Sequence, residues 1–132
     1  KYKKDIILPG FIAEEEKWQL LKNADVFLFP TFYEGFGLPI LEAQSVGVPV
    51  VAGNNSSMLE IIGIVETHCN ASLQLVDPNN SEEIAEKTYE IISDKNLKEE
   101  IIKKGFENIK RFSWEKCAGE IAGILTGEWR AV

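Results

Sequence analysis

A chain of 132 residues, 45% of them hydrophobic, is long enough to bury a core of its own without disulfide or metal staples. Its net charge of −7 leaves no basic face of the kind a nucleic-acid partner needs. Cys69 and Cys117 fit no metal or redox spacing, and no apolar run approaches the roughly 20 residues that cross a bilayer. The composition therefore describes a folded chain with reduced thiols, expected in the cytoplasm. The N-x-S triplets beginning at Asn54, Asn55, Asn70 and Asn79 are expected to be chance in a chain without a leader peptide.

In chain order, Asp5-Ile6-Ile7-Leu8-Pro9-Gly10 reads as a short buried strand stopped by Pro and Gly. Glu14 to Ala24 reads as a helix, with acids in its first turn and Trp18, Leu20, Leu21 and Ala24 close to helical spacing. Asp25 to Pro30 is a second strand, rich in β-formers and too short for an ordinary helix. A loop with Gly35 and Gly37 leads to a helix over Pro39 to Val46, with Gly47 just past its end. Val48 to Ala52 is a third strand, and Ser57-Met58-Leu59-Glu60 is a capping-box start to a short helix closed by Gly63. Leu73 to Val76 is a fourth strand. Helices follow over Ser81–Ser93, Leu97–Lys110 and Trp114–Leu125.

Short continuous apolar strands alternating with helices predict an α/β fold: a Rossmann-like parallel sheet with helices on both faces and a helical C-terminal part. Right-handed crossovers then bring every strand-to-helix loop to one edge of the sheet, where such proteins take ligands. The loops Gly10–Ala13, Thr31–Leu38 and Gly53–Ser57 are therefore expected to be neighbours.

The middle loop carries the chemistry. Gly35 and Gly37 permit strained backbone and close approach, and they run into a helix start whose first amides lack internal partners. Free N–H groups and the helix dipole together favour a phosphate or diphosphate there. Glu34 lies before the glycines and Glu42 lies about one turn into the helix. Carboxylates accept hydrogen bonds from vicinal hydroxyls, so this pair suits a sugar on one side and a ribose on the other. A glycine loop before a helix also occurs in α/β proteins without a ligand, and spacing alone leaves both readings open.

Pro30 to Ala43, with Glu34, Gly35-Phe36-Gly37-Leu38-Pro39 and Glu42, resembles the E-x7-E signature of retaining glycosyltransferases of GT-B architecture, the group 1 type. Gly47-Val48-Pro49-Val50-Val51, Ser57 to Gly63, Phe112-Ser113-Trp114-Glu115, Leu8 to Ile12 and Asn23-Ala24-Asp25 resemble further family segments, so the likeness covers nearly the whole chain. The resemblance implies the C-terminal, donor-binding half of such an enzyme, with residues 1–132 as a single, N-terminally incomplete domain. Glu34 is then the catalytic-side acid near the donor sugar, and Glu42 holds the ribose. The amides of Gly35, Phe36, Gly37 and Leu38 cradle the diphosphate, and Phe11 and Ile12 meet the base. No cofactor or metal is expected beyond the NDP-sugar donor. The acceptor, a glycan or lipid-linked saccharide, is expected to be held by a missing N-terminal domain, with at most peripheral membrane contact. No Lys or Arg lies within Thr31–Glu42, so the chain alone is expected not to transfer sugar. A non-catalytic interaction module and a sugar-nucleotide epimerase are the alternatives.

Other conspicuous residues are expected to be structural. His68 has no discernible Ser or Asp partner and falls outside the three loops. Trp18, Trp114 and Trp129 are expected to pack in the core or a lid, and Lys103, Lys104, Lys110 and Arg111 to form a solvated helix face.

Overall fold

Three apolar runs pair side by side in a computed structural model of the chain, which describes residues 3–54, 58, 61 and 72–127. Strands β1 (Phe27–Phe29), β2 (Val50–Gly53) and β3 (Gln74–Val76) form a parallel sheet in the order β1-β2-β3. Phe27 lies opposite Val50, and Val51 lies opposite Gln74. Because side chains alternate across a pleated strand, a strand apolar at every position must be covered twice. Val50 and Ala52 join Ile40, Ala43, Met58, Ile61 and Leu73 in one cluster. Val51 joins Val76, Ile91 and Ile101 in the other. The parallel α/β architecture with helices on both faces is thus the observed one.

The helices start and stop where local chemistry directs. Helix α1 (Glu14–Lys22) opens with Glu14, Glu15 and Glu16, and the Glu16 carboxylate accepts from the Ala13 amide at 3.1 Å. Helix α2 (Leu38–Ser45) is followed by Gly47 at φ +75°, a left-handed turn that reverses the chain toward β2. Helix α3 (Ser81–Ser93) is capped by the Asn80 side chain, which accepts from the Glu83 amide. Helix α4 (Lys95–Ile109) is capped by Asp94, and helix α5 (Trp114–Thr126) by Ser113.

The expected first strand does not form. Lys3–Asp5 is a short 3₁₀ turn, and Ile6, Ile7 and Leu8 follow as irregular chain, 62%, 84% and 89% exposed. A strand exists only where a neighbour completes its ladder, and no described strand takes up this run's amides and carbonyls. The capping-box helix lies mostly outside the described residues, although Met58 and Ile61 are helical and buried.

A polar chain of contacts fixes α2 against α4. Gln44 is buried among apolar residues, and its Nε2 donates to the Ser72 carbonyl at 3.2 Å and the Ser72 hydroxyl at 3.1 Å. Asn108 Nδ2 donates to Gln44 Oε1 at 2.9 Å, and Arg111 donates to Asn108 Oδ1 at 2.9 Å and to the Ile61 carbonyl at 3.2 Å. Buried amides are tolerated when satisfied in this way. Arg111 is therefore an anchor, not the merely solvated cation expected.

Candidate functional site

Parallel pairing places the ends of β1 and β2 at one sheet edge, and the loop after β1 enters α2 there. Gly37, at φ +84°, is the residue before the helix. A Cβ at this position would stand 2.9 Å from Met58 Cε and 3.0 Å from Ile61 Cδ1. Glycine is favoured by the left-handed backbone, and a larger side chain would also have to push aside the ends of Met58 and Ile61. The tip of α2 above it has a defined donor set. Pro39 carries no N–H, and the Ile40 amide donates to the Gly37 carbonyl at 3.0 Å. Among the described residues, none accepts from the amides of Phe36, Gly37 or Leu38. Those three consecutive N–H groups sit at the positive end of the helix, where the chemistry favours an anion.

Side chains give this tip its surroundings. The Phe36 ring meets the Phe112 ring edge to face at 5.8 Å, which ties the loop to the corner between α4 and α5. Glu42, just past the first turn of α2, accepts from Lys17 Nζ of α1 at 3.0 Å through its Oε1. The same ammonium lies 4.7 Å from the Trp18 ring centre. A cleft of about 810 Å³ opens beside Glu42, lined by Trp18, Phe36, Leu38, Leu41, Phe112 and Trp114 among others. It is a mostly apolar trough with Glu42, Glu120, Arg111 and Lys116 on its walls, which suits a ligand with a flat or apolar part and polar or charged groups.

The family described as Glycosyl transferases group 1 matches residues 1–108. The chain belongs to that family. This group 1 chain is 40% identical over 108 residues to "O-antigen chain mannosyltransferase B" from Escherichia coli, covering 82% of its own length and 26% of the relative. It is 35% identical over 106 residues to a sucrose-phosphate synthase from Spinacia oleracea, covering 80% of itself and 10% of that protein. The fold of a sucrose-phosphate synthase from Thermosynechococcus elongatus superposes with a TM-score of 0.81 at 24% identity, over 95% of this chain and 30% of the other. The chain thus spans about a quarter or less of the curated relatives named.

Within this group 1 chain the sequence-derived residues divide. Phe36, Leu38 and Glu42 line one cleft, with Gly37 buried beneath the helix tip and Gly35 exposed. Glu34 is half-buried in the loop and is not among the residues lining that cleft. Phe11 is fully exposed and Ile12 half-buried, and neither lines it. Trp114, expected to pack, is 76% exposed on the cleft, and Cys117 is an exposed free thiol there. His68, Cys69, Trp129 and most of the Gly53–Ser57 loop lie outside the described residues. Lys17 and Phe112 were not foreseen as neighbours of the site. Their partners lie far along the chain, and no local pattern announces them.

Proposed function

We propose that this chain is the donor-binding part of a retaining glycosyltransferase that moves a sugar from an NDP-sugar to a glycan or lipid-linked acceptor. The observation that carries the reading is the tip of α2, where the consecutive amides of Phe36, Gly37 and Leu38 have no acceptor among the described residues and share a helix with Glu42. The leaving group in such a transfer is a nucleoside diphosphate, whose negative charge grows as the bond to the sugar breaks. Donors fixed at a helix start stabilise that charge without reorganising. In this reading Glu42 holds the ribose hydroxyls, Glu34 faces the transferred sugar, and Phe11 and Ile12 approach the base. The residues of this chain need no metal for these roles. The cations that complete the diphosphate site and the groups that hold the acceptor are assigned to other parts of a longer, cytoplasmic protein. Among the described residues no helix is long and apolar enough to cross a membrane. The chain alone is inactive in this account.

The direct test is an NMR titration of the chain with nucleoside diphosphates, following the amides of Phe36, Gly37 and Leu38. Selective shifts of these signals are expected. Unmoved signals at millimolar ligand would overturn the reading. In the full-length protein, Glu34→Ala is expected to harm turnover more and Glu42→Ala to harm nucleotide affinity more. Trivial effects of both would remove the assignments.

A further inference from the structure

The loop from Thr31 to Glu42 contains no cation, yet the structure brings Arg111 and Lys116 to the same cleft and Lys17 onto Glu42 itself. Of the ion pairs among the described residues, most lie within a single helix, such as Lys87–Glu90 and Lys116–Glu120. Lys17–Glu42 and Lys98–Asp25 alone join separate elements, and only the first touches a residue of the candidate site. Lys17 and Glu42 are 40% and 34% exposed, and exposed pairs of this kind add little to folding stability. Their value must therefore be sought in what the contact does to the carboxylate.

We infer that Lys17 is a positioning residue for donor binding, holding the Glu42 carboxylate in place and neutralising its charge beside an anionic nucleotide. The inference rests on the reading that Glu42 meets the ribose hydroxyls. The bond from Lys17 engages Oε1, so Oε2 keeps its capacity to accept from a hydroxyl. The ammonium is held from a second side by the face of the Trp18 ring, which restrains an otherwise flexible side chain. Glu42 also stands on the same helix as the anion-favouring tip, where an unpaired carboxylate would repel the diphosphate that the amides attract. A cation supplied by α1 removes that conflict, and only two of its three N–H donors remain for a ligand oxygen.

The test uses the full-length protein and calorimetric titration with UDP, GDP and ADP, each beside its own nucleoside. Lys17→Met is expected to weaken binding of the preferred diphosphate about tenfold, the size of one lost charge-assisted contact. Binding of the nucleoside should weaken less, and the melting temperature should stay within about 2 °C of the parent. Lys17→Arg should restore most of the loss. In a Glu42→Gln background there is no charge to neutralise, and Lys17→Met should change diphosphate binding by less than about twofold. Wild-type affinity in Lys17→Met, with Glu42→Ala impaired, would overturn the role of Lys17 and leave the donor reading intact. So would an undiminished effect in the Glu42→Gln background, or equal losses for diphosphate and nucleoside with a lowered melting temperature. Unchanged binding in both Lys17→Met and Glu42→Ala would remove the donor reading of Glu42 and this inference with it.

Discussion

Helices α2 and α5 are both rich in apolar residues, but they meet opposite fates. Helix α2 buries Ile40, Ala43 and Gln44, lies against the sheet and is clasped by α4. Helix α5 buries none of its residues, and Ile121, Ile124 and Leu125 are 53%, 59% and 81% exposed. The difference lies in what surrounds each helix. Helix α2 connects two paired strands of one sheet, so its side chains lie against that sheet and meet Met58, Ile61, Leu73 and α4. Helix α5 leaves the α4 corner at Phe112 and Ser113 with no described strand beneath it. Apolar content therefore decides that a helix can be buried, and topology decides whether it is.

The contrast can be broken most directly by cutting the same side chain from each helix. Ile40→Ala is expected to destabilise the chain by about 2–5 kcal/mol and Ile124→Ala by less than about 1 kcal/mol, measured by urea unfolding. Equal costs would show that α5 has a covered face after all. Next in size is Gly37→Ala, which forces a Cβ against Met58 and Ile61 at φ +84°. A loss of about 2–4 kcal/mol is expected, together with disturbed NMR shifts at the α2 tip. Gln44→Leu keeps the bulk but strands the Asn108 amide and the Ser72 hydroxyl, at about 1–3 kcal/mol. If this substitution proves stabilising, the clasp on α2 is apolar and not polar.

The smallest expected effect concerns acid. Lys98 Nζ donates to Asp25 Oδ1 at 2.8 Å, and this contact lowers the Asp25 pKa from its usual 3.8. A carboxylate whose folded pKa is depressed contributes stability above its unfolded value and loses it as pH falls through the folded one. Asp25→Asn should therefore melt slightly below the parent at neutral pH, and the difference should shrink as pH falls below 3.8 and through the lowered pKa. A difference that persists in acid would assign the contact to packing.

Much of this was legible where the signal is local. Helix α3 is expected at Ser81–Ser93 and occupies those residues, with its Asn80 cap directly before them. Pro39 and Gly47 bracket α2, and the glycine loop ahead of it leads into the helix that carries Leu38 and Glu42. What failed depends on partners distant in sequence. Ile6-Ile7-Leu8 has the composition of a strand, but composition carries no information about who pairs with it. Gln44 was not read as a core residue, because a polar side chain is tolerated there only through Ser72 and Asn108. Lys17 lies 25 residues before Glu42, and only the placement of α1 beside α2 makes them neighbours.

Pro39 has one more effect. By deleting a donor just after Leu38, it closes the short row of uncommitted N–H groups at that residue, since the next amide is already engaged by the Gly37 carbonyl. A row that short wraps about one tetrahedral group. A ligand carrying two such groups in tandem would have its second left to partners outside the row, so any grip on it is necessarily shared, and neither holder would be strong by itself.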